Sequence, residues 1–345
     1  RLLTAPLPAP AVGELSLDAI VDALASPSRA LLRGRLGVSL EERGAELLGQ
    51  DPIELDARTR RAIGADLLTL ALGSPAGAAV EVAWERERAR GRLPQGAAGR
   101  SLFEGLVPEV EAIAREARRH RLGDRLAPVP VALALGDARL VGVLEELWPG
   151  AQVLVRYARE GGGSELDAWV RHLALQVLRG DAPAPELPAR TVVVARPREA
   201  EGAAVFGFRE LDPATARREL EFLLTLVGLA ATAPVPFFPR AAREYAAVHQ
   251  RLAAKGAPDA AERALAAARG VFLGAARQGA PGEARDPYVR RLHADGDPLA
   301  PEPDAGAGLA GVAPFPELAL RVFGPLLAAR EAGDDDPDLA GEART

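Results

Sequence analysis

Two neighbouring segments with the residue pattern of β-strands hold the positions at which this chain could do chemistry. They run over residues 139–145 and 152–158. Side chains two residues apart on a strand point to the same face. A strand that contains Asp-x-Lys therefore holds a carboxylate and an ammonium group side by side, which suits metal-dependent cleavage of a phosphodiester. The second segment has Arg156 and Ala158 at those two positions, so it keeps the spacing of such a pair and lacks its chemistry.

Glu145, at the end of the first segment, is the remaining acidic candidate. Magnesium needs several oxygen ligands that converge, and the guanidinium of Arg156 would repel the ion. Glu145 stands beside Glu146 without a further carboxylate at a matching spacing, and a glutamate in this position is usually solvated or paired at the surface. We therefore predict no catalytic residue, no metal site and no cofactor. We treat Glu145, Arg156 and Ala158 as degenerate catalytic positions.

The sequence lacks the other common patterns of catalytic and nucleotide-binding sites. Its four histidines are scattered, and none has the spacing of metal ligands. No serine lies in a nucleophile-elbow pattern, and no glycine-rich loop ends in Lys-Ser or Lys-Thr. The glycines at 161–163 could bind a phosphate ahead of a helix, but a flexible turn is the simpler interpretation. For His172 we favour a core or interface position over a catalytic one.

The charge of the chain is unevenly distributed. The formal net charge is −6 over 345 residues, yet the segment 331–345 alone carries six acidic residues and one arginine. We expect this acidic tail to be solvated and disordered, which leaves a body close to neutral. The absence of cysteine excludes disulfides and thiolate metal sites, and no apolar run is long enough to span a membrane. The chain begins at Arg1 and contains no methionine, so we expect a fragment of a longer protein.

Arginine supplies nearly all of the positive charge, since Lys255 is the only lysine. It occurs in local clusters within 58–61, 86–92 and 115–121. Phosphate binding is one use of such clusters. Glutamates at helical spacing interleave with the cluster at 86–92, which favours a solvated helix face held by ion pairs. The cluster at 115–121 is less balanced by acids, and for it both interpretations stay open.

The spacing of apolar residues divides the chain into a helical region, a central region rich in strands, a second helical region and the tail. In the central region, short β-branched runs alternate with turn signals. Strands are predicted at 129–135, 139–147, 152–157, 191–195 and 205–208, with a helix at 164–178. This order predicts a mixed α/β fold in which one mixed sheet is flanked by helices. The predicted boundaries are 1–100, 101–210, 211–330 and 331–345.

Short motifs spread along nearly the whole chain carry a family resemblance, through their order and spacing together. They lie at 15–18 (Leu-Ser-Leu-Asp), 27–32, 35–37, 51–56, 93–96 (Leu-Pro-Gln-Gly), 140–142, 154–157 (Leu-Val-Arg-Tyr), 169–173, 236–240 (Pro-Phe-Phe-Pro-Arg) and 286–292. With these motifs the chain resembles the C-terminal domain of RecC, the gamma subunit of exodeoxyribonuclease V, the RecBCD helicase–nuclease.

The resemblance implies a PD-(D/E)xK restriction-endonuclease-like core that is catalytically degenerate, with added N- and C-terminal helices. It also implies that Arg156 and its neighbour Tyr157 are ordinary for the family. Cleavage and ATP hydrolysis would belong to partner subunits of RecB and RecD type. The expected role is structural and DNA-guiding, on double-stranded or forked DNA in the cytoplasm, with no membrane and no small-molecule substrate.

The residues that would meet DNA phosphates are predicted among exposed arginines of the central region. The candidates are Arg115, Arg118, Arg119, Arg121, Arg156 and Arg159. Two other functions stay open: an active PD-(D/E)xK nuclease that uses Glu145 and an acid from a helix, and a helical interaction module without a role on DNA. The aromatic pair Phe237 and Phe238 is predicted to lie in a packed loop, with an exposed wedge against a base pair as the alternative.

Overall fold

The computed structural model describes residues 3, 5–10, 13–40, 55–73, 76–181, 187–197, 202–274, 281–294, 296–301 and 312–332. In chain order, the elements of these ranges are β1 (Glu14–Ser16), α1 (Leu17–Ala25), α2 (Pro27–Arg29), a π-helix (Ala30–Arg35), α3 (Ala57–Gly73), α4 (Ala76–Ala89), α5 (Gly96–Glu104), α6 (Val107–His120), β2 (Val129–Leu135), β3 (Ala138–Leu144), β4 (Gln152–Arg159), α7 (Gly162–Asp181), β5 (Thr191–Arg196), β6 (Ala204–Phe208), α8 (Pro213–Ala230), α9 (Pro239–Ala254), α10 (Ala260–Leu273), a 3₁₀ turn (Glu283–Arg285), α11 (Pro287–Leu292), α12 (Phe315–Ala329) and β7 (Arg330–Ala332). The mixed α/β class is confirmed.

The strands form two mixed sheets, so the prediction of a single sheet was wrong. In the first sheet, β3 lies between β1 and β2, parallel to β1 and antiparallel to β2. The second sheet has the order β4-β5-β6-β7, with β4 and β5 parallel and the other pairs antiparallel. Between β3 and β4 the backbone turns at Glu146, whose φ of 57° is left-handed. The turn leaves an isolated bridge between Leu147 and Gln152 instead of a continuous ladder.

Two hydrophobic cores lie on the two faces of the four-stranded sheet. Leu154 and Phe206 face the first core, which α1, α7 to α12 and the three-stranded sheet complete. Val153 and Tyr157 face the second core, which α3 to α6 cover. Neighbours in β4 thus alternate between the cores, as strand geometry requires. The predicted N-terminal helical region, residues 1–100, is divided between the cores, because α1 packs on α7 and α8.

Helix starts follow the capping residues in the sequence. Ser16 caps α1, since its Oγ accepts the Ala19 N–H at 3.0 Å. Asp212 and Asp286 each precede a proline and cap α8 and α11 in the same way. Such caps satisfy N–H groups that have no partner within the helix. At the other end of a helix, Gly274 stops α10 with a left-handed φ of 81°, a conformation that glycine adopts without steric cost.

Helix α7 begins at Gly162, two residues before the predicted start at residue 164. A Cβ at Gly162 would lie 2.2 Å from the carbonyl oxygen of Pro239, so glycine allows α7 to start against the first turn of α9. Ser164 lies inside the first turn, where its Oγ accepts the Gly161 N–H at 3.2 Å. The helix then connects the parallel strands β4 and β5 and buries Trp169 in the first core.

Strand β7 extends the second sheet into the segment predicted as a tail. Arg330 pairs with Phe208 and residue 331 with Gly207, while residues 333–345 lie outside the described residues of the chain. Across the described residues, none of the helices combines the length and the apolar character that a membrane crossing demands.

Candidate functional site

The degenerate strand positions coincide with an irregularity in β4. The strand pairs with β5 in register as far as Val155, and the next pair joins Arg159 to Arg196. Residues 156–158 therefore form a bulge, a feature that commonly lies next to active sites because it redirects side chains. The Arg156 guanidinium does not point freely into a cleft. Its Nε and Nη2 each lie 3.2 Å from Oδ2 of Asp167 on α7.

Asp167 belongs to a chain of charges that ties β4 to two helices. Its other oxygen, Oδ1, accepts Nε of Arg171 at 2.8 Å, and Arg171 also binds Asp18 on α1 at 2.5 Å. Burial disfavours the charge of Arg171, but the carboxylates of Asp167 and Asp18 raise the pKa of this guanidinium above its usual value. Alternating signs along Arg156, Asp167, Arg171 and Asp18 leave this region without the excess of negative charge that a divalent cation requires.

Glu145 lies apart from this chain of charges. Its side chain is exposed at the turn after β3, and its backbone oxygen accepts Nε2 of Gln152 at 3.1 Å. The neighbouring Glu146 is engaged by Arg121 at 2.5 Å and Arg125 at 2.7 Å. In the portion of the chain that the structure describes, no three His, Asp or Glu side chains converge as metal ligands would.

The opposite face of β4 carries a cluster that sequence reasoning missed. Tyr157 donates its hydroxyl proton to Oε2 of Glu109 at 2.6 Å, and Glu109 also pairs with Arg60 at 2.8 Å and Arg196 at 3.1 Å. Burial and the bond to Glu109 raise the pKa of Tyr157 to about 12. Although burial alone would raise it, the pKa of Glu109 is lowered by Tyr157 and the two arginines. A carboxylate with three partners holds elements together and has little capacity to bind a ligand.

A buried ion network joins the end of β4 to the C-terminal elements. Glu165 is fully buried and binds Nε of Arg243 on α9 at 3.1 Å. Glu160 lies 3.9 Å from Nη2 of Arg243 and also binds Arg330 of β7. The partners lie far apart in the sequence, so no local spacing could have indicated them. The burial of Glu165 requires a paired cation, because an isolated buried charge costs several kcal/mol.

The predicted DNA-contact arginines on α6 and after it differ in whether they already contact other groups of the chain. Arg115 is exposed and makes no ion pair with any described residue. Arg118 donates to the carbonyl oxygen of Ala71 at 2.6 Å, and Arg119 pairs with Glu116 at 2.8 Å. Arg121 lies over the Trp148 ring, 4.6 Å from its centroid, and burial lowers the pKa of its guanidinium. Arg159, on β4, is exposed but has partners within the chain.

A family model described as the RecC C-terminal domain matches residues 12–250. The chain belongs to the RecC C-terminal domain family. Membership implies a role in the RecBCD complex, which acts in DNA repair. A comparison with curated proteins found no match. The family match extends from the residues before β1 into α9, so it covers both sheets except β7 and leaves α10 to α12 outside.

Within this RecC-type domain, two predictions are confirmed: a core or interface position for His172, and a packed loop at Phe237 and Phe238. His172 is fully buried and lies 2.9 Å from Thr191 Oγ1, with the Trp169 ring stacked against it. Burial lowers the pKa of His172 to about 3, so the imidazole is a neutral core group. Phe237 and Phe238 are 1% and 2% exposed. They form a packed loop, and the alternative of an exposed wedge was wrong.

Proposed function

We propose that the chain is a non-catalytic structural and DNA-guiding domain of a RecBCD-type helicase–nuclease, acting in double-strand break repair by homologous recombination. The observation that carries the proposal is the pairing of Arg156 with Asp167 where a nuclease strand would present a free carboxylate. The family membership supports the part of the proposal that assigns the chain to a RecBCD-type complex.

Electrostatics argues against metal chemistry at this strand. Two unit charges about 4 Å apart interact by about 4 kcal/mol at the effective dielectric near a protein surface. A divalent cation beside Arg156 would meet twice that repulsion, and Asp167 already has two cationic partners. Glu145 lies in the turn beyond the other sheet and, among the described residues, has no neighbouring acid arranged to share a metal. Among the described residues, these positions therefore offer no set of ligands for a metal ion.

The DNA-guiding aspect of the proposal is supported by exposed arginines on α6. Arg115, Arg118 and Arg119 are exposed on one helix whose opposite side packs in the second core. Arginine is among the residues that most often donate hydrogen bonds to the phosphate oxygens of DNA. Because phosphate contacts by arginine release counterions from DNA, we expect binding to depend strongly on salt. RecB-like and RecD-like subunits are the proposed partners, with cleavage and ATP hydrolysis on their side, in the cytoplasm.

A nuclease assay on forked DNA tests the proposal. We expect no cleavage by the purified chain with Mg²⁺ or Mn²⁺, either for wild type or for Glu145→Ala. Glu317→Ala is the matched control, because Glu317 is also exposed and lies on α12. Metal-dependent cleavage that Glu145→Ala abolishes and Glu317→Ala retains would establish an active nuclease instead. Absence of binding to forked DNA at low salt would favour an interaction module.

A further inference from the structure

A second arginine-rich surface lies on α2, the π-helix, the 3₁₀ turn and α11, and we propose that it binds the phosphates of DNA. We call it the α2–α11 patch. Its members are Arg29, Arg33, Arg285, Arg290 and Arg291, all of them exposed. The inference rests on the proposed function, since it adds a DNA-binding surface to a domain that is proposed to guide DNA.

Contacts of Arg29 and Tyr288 hold the two halves of the patch together. Nη2 of Arg29 lies 3.6 Å from Oδ2 of Asp286, and its Cζ lies 5.5 Å from the centroid of the Tyr288 ring. The Leu40 N–H donates to the Tyr288 hydroxyl at 3.2 Å. Tyr288 itself is buried, so it fixes α11 against α2 and the segment that follows the π-helix. Residues distant in sequence thereby form one surface.

Helical spacing places the other arginines beside this contact. Arg33 follows Arg29 by four residues along the helix, and Arg290 follows Asp286 by four. Side chains at this spacing are neighbours on a helix surface, about 5–6 Å apart at Cβ. A π-helix, which covers Arg33 here, occurs frequently at functional sites. Arg285 and Arg291 flank the same contact on the segment that contains α11.

Among the residues that the structure describes, the patch has more positive charge than nearby acids compensate. Asp286 pairs with Arg29, while Arg33, Arg285, Arg290 and Arg291 make no ion pair with the residues that the structure describes. Glu283, a described acid of the 3₁₀ turn, is engaged elsewhere. Its two oxygens accept the N–H groups of Arg240 and Ala241 at 3.0 and 2.9 Å. The start of α9 is therefore capped by the chain itself, and the guanidinium groups remain as the phosphate ligands.

Nucleic acid suits this surface better than an acidic protein segment does. The guanidinium fork matches the oxygens of a phosphate, and a duplex presents a dense row of such groups to several arginines at once. On α6, by comparison, Arg119 is neutralised by Glu116 and Arg118 is bound to a backbone carbonyl. Counting only ion pairs between described residues, the α2–α11 patch therefore holds more uncompensated cations than the α6 surface and should contribute more to the salt dependence of binding.

Fluorescence anisotropy with a labelled forked duplex tests the patch in the full chain. The test variant combines Arg33→Gln, Arg290→Gln and Arg291→Gln. The control variant combines Arg88→Gln, Arg139→Gln and Arg263→Gln, which are also exposed but are each paired with an acid. Affinities are measured between about 50 and 200 mM salt, where each lost phosphate contact lowers the slope of log affinity against log salt by about 0.9.

We expect the test variant to bind about tenfold more weakly at the lower salt and to lose about 2 to 3 from that slope, while the control follows wild type. Replacing the same three residues by lysine should retain most of the slope, which separates lost charge from damaged structure. Equal binding and slope in wild type and the test variant would overturn the patch and leave the proposed function standing. No binding by wild type at low salt would overturn both. Equally tight binding of a poly-glutamate peptide to the patch would overturn the assignment to nucleic acid.

Discussion

A guanidinium attracts anions, whereas a carboxylate attracts cations. Strand β4 carries a guanidinium, that of Arg156, at the position where metal binding would need a carboxylate. The side chain is 36% exposed and directed to Asp167 instead of to a cation. Two residues later Ala158 offers no functional group. On the other face, Tyr157 and Glu109 form a hydrogen bond whose donor and acceptor are both held by further contacts. On both faces of β4, polar side chains thus bind the strand to neighbouring helices.

Placing an aspartate at position 156 and a lysine at position 158 should not by itself produce metal-dependent cleavage. In the double variant Arg156→Asp with Ala158→Lys, the new carboxylate would face Asp167 without the neutralising guanidinium, and no converging acids are available among the described residues. We expect no Mg²⁺-dependent cleavage and a loss of about 1–3 kcal/mol in the free energy of unfolding. Urea unfolding and a cleavage assay measure these effects. Appearance of metal-dependent cleavage would contradict our interpretation of the strand.

The Tyr157 hydroxyl should stabilise the second core. Tyr157→Phe removes a bond to a charged acceptor, which typically costs about 1.5–3 kcal/mol. Tyr245→Phe is the control, because Tyr245 is buried at a similar level and its hydroxyl has no hydrogen bond to a described residue. We expect the first substitution to lower the free energy of unfolding in that range and the second to change it by less. A reversed order would show that the Glu109 cluster contributes little.

The sequence predicted which residues lie on β4 but not which side chains they contact. Arg156 and Ala158 could be assigned to one strand from their spacing, and the core position of His172 followed from its place on an apolar helix. The partners Glu109 and Tyr157 are distant in sequence and belong to a helix and a strand. Their contact depends on tertiary packing, which no spacing rule encodes.

Elements pack around the four-stranded sheet through buried ion pairs as well as apolar contacts. The Glu165–Arg243 pair fixes α7 to α9, and Glu283 fixes the turn before α11 to the start of α9. The two helical regions were predictable, because helix caps such as Ser16 and the Asp-Pro pair at 286–287 act within one turn. The short strands β1 and β7 were missed. Each has three residues and forms only through pairing with a distant strand.

Breaking the buried ion pair should separate α7 from α9. Arg243→Ala leaves Glu165 as an uncompensated buried charge, which typically costs about 3–5 kcal/mol. Arg88→Ala, which breaks an exposed pair with Glu85, should cost at most about 1 kcal/mol. Chemical unfolding of both variants gives the comparison. Similar losses of unfolding free energy in the two variants would contradict the larger contribution that we assign to the Glu165–Arg243 pair.

The cap at α9 predicts a pH dependence of stability. Burial raises the pKa of Glu283, and the negative charge of Asp286 raises it further. The backbone N–H groups of Arg240 and Ala241 and the positive charge of Arg240 lower it, but burial outweighs them. A group with a raised pKa in the folded state stabilises the fold below its usual pKa, and this contribution is lost as pH rises through the folded pKa. The unfolding free energy of wild type relative to Glu283→Gln should therefore fall as pH rises from the ordinary carboxyl range. A relative stability that grows with pH would contradict this assignment.

At the scale of the whole molecule, the two cores separate two arginine-bearing surfaces. The α6 surface covers the second core, whereas the α2–α11 patch lies with the elements of the first. The division into two sheets was not predictable, since it depends on the left-handed turn at Glu146, a residue type that rarely adopts this conformation. A domain of this form can hold partner subunits and DNA by its surfaces without reacting with either.

The affinity of the chain for forked DNA, measured in EDTA and again in Mg²⁺ with the DNA recovered on a gel, tests the central claim most directly. A non-catalytic domain that holds phosphates by arginine should bind at least as tightly in EDTA, because Mg²⁺ competes for phosphates. The recovered DNA should be intact under both conditions. Binding that requires Mg²⁺, or cleavage that appears only with Mg²⁺, would contradict the account.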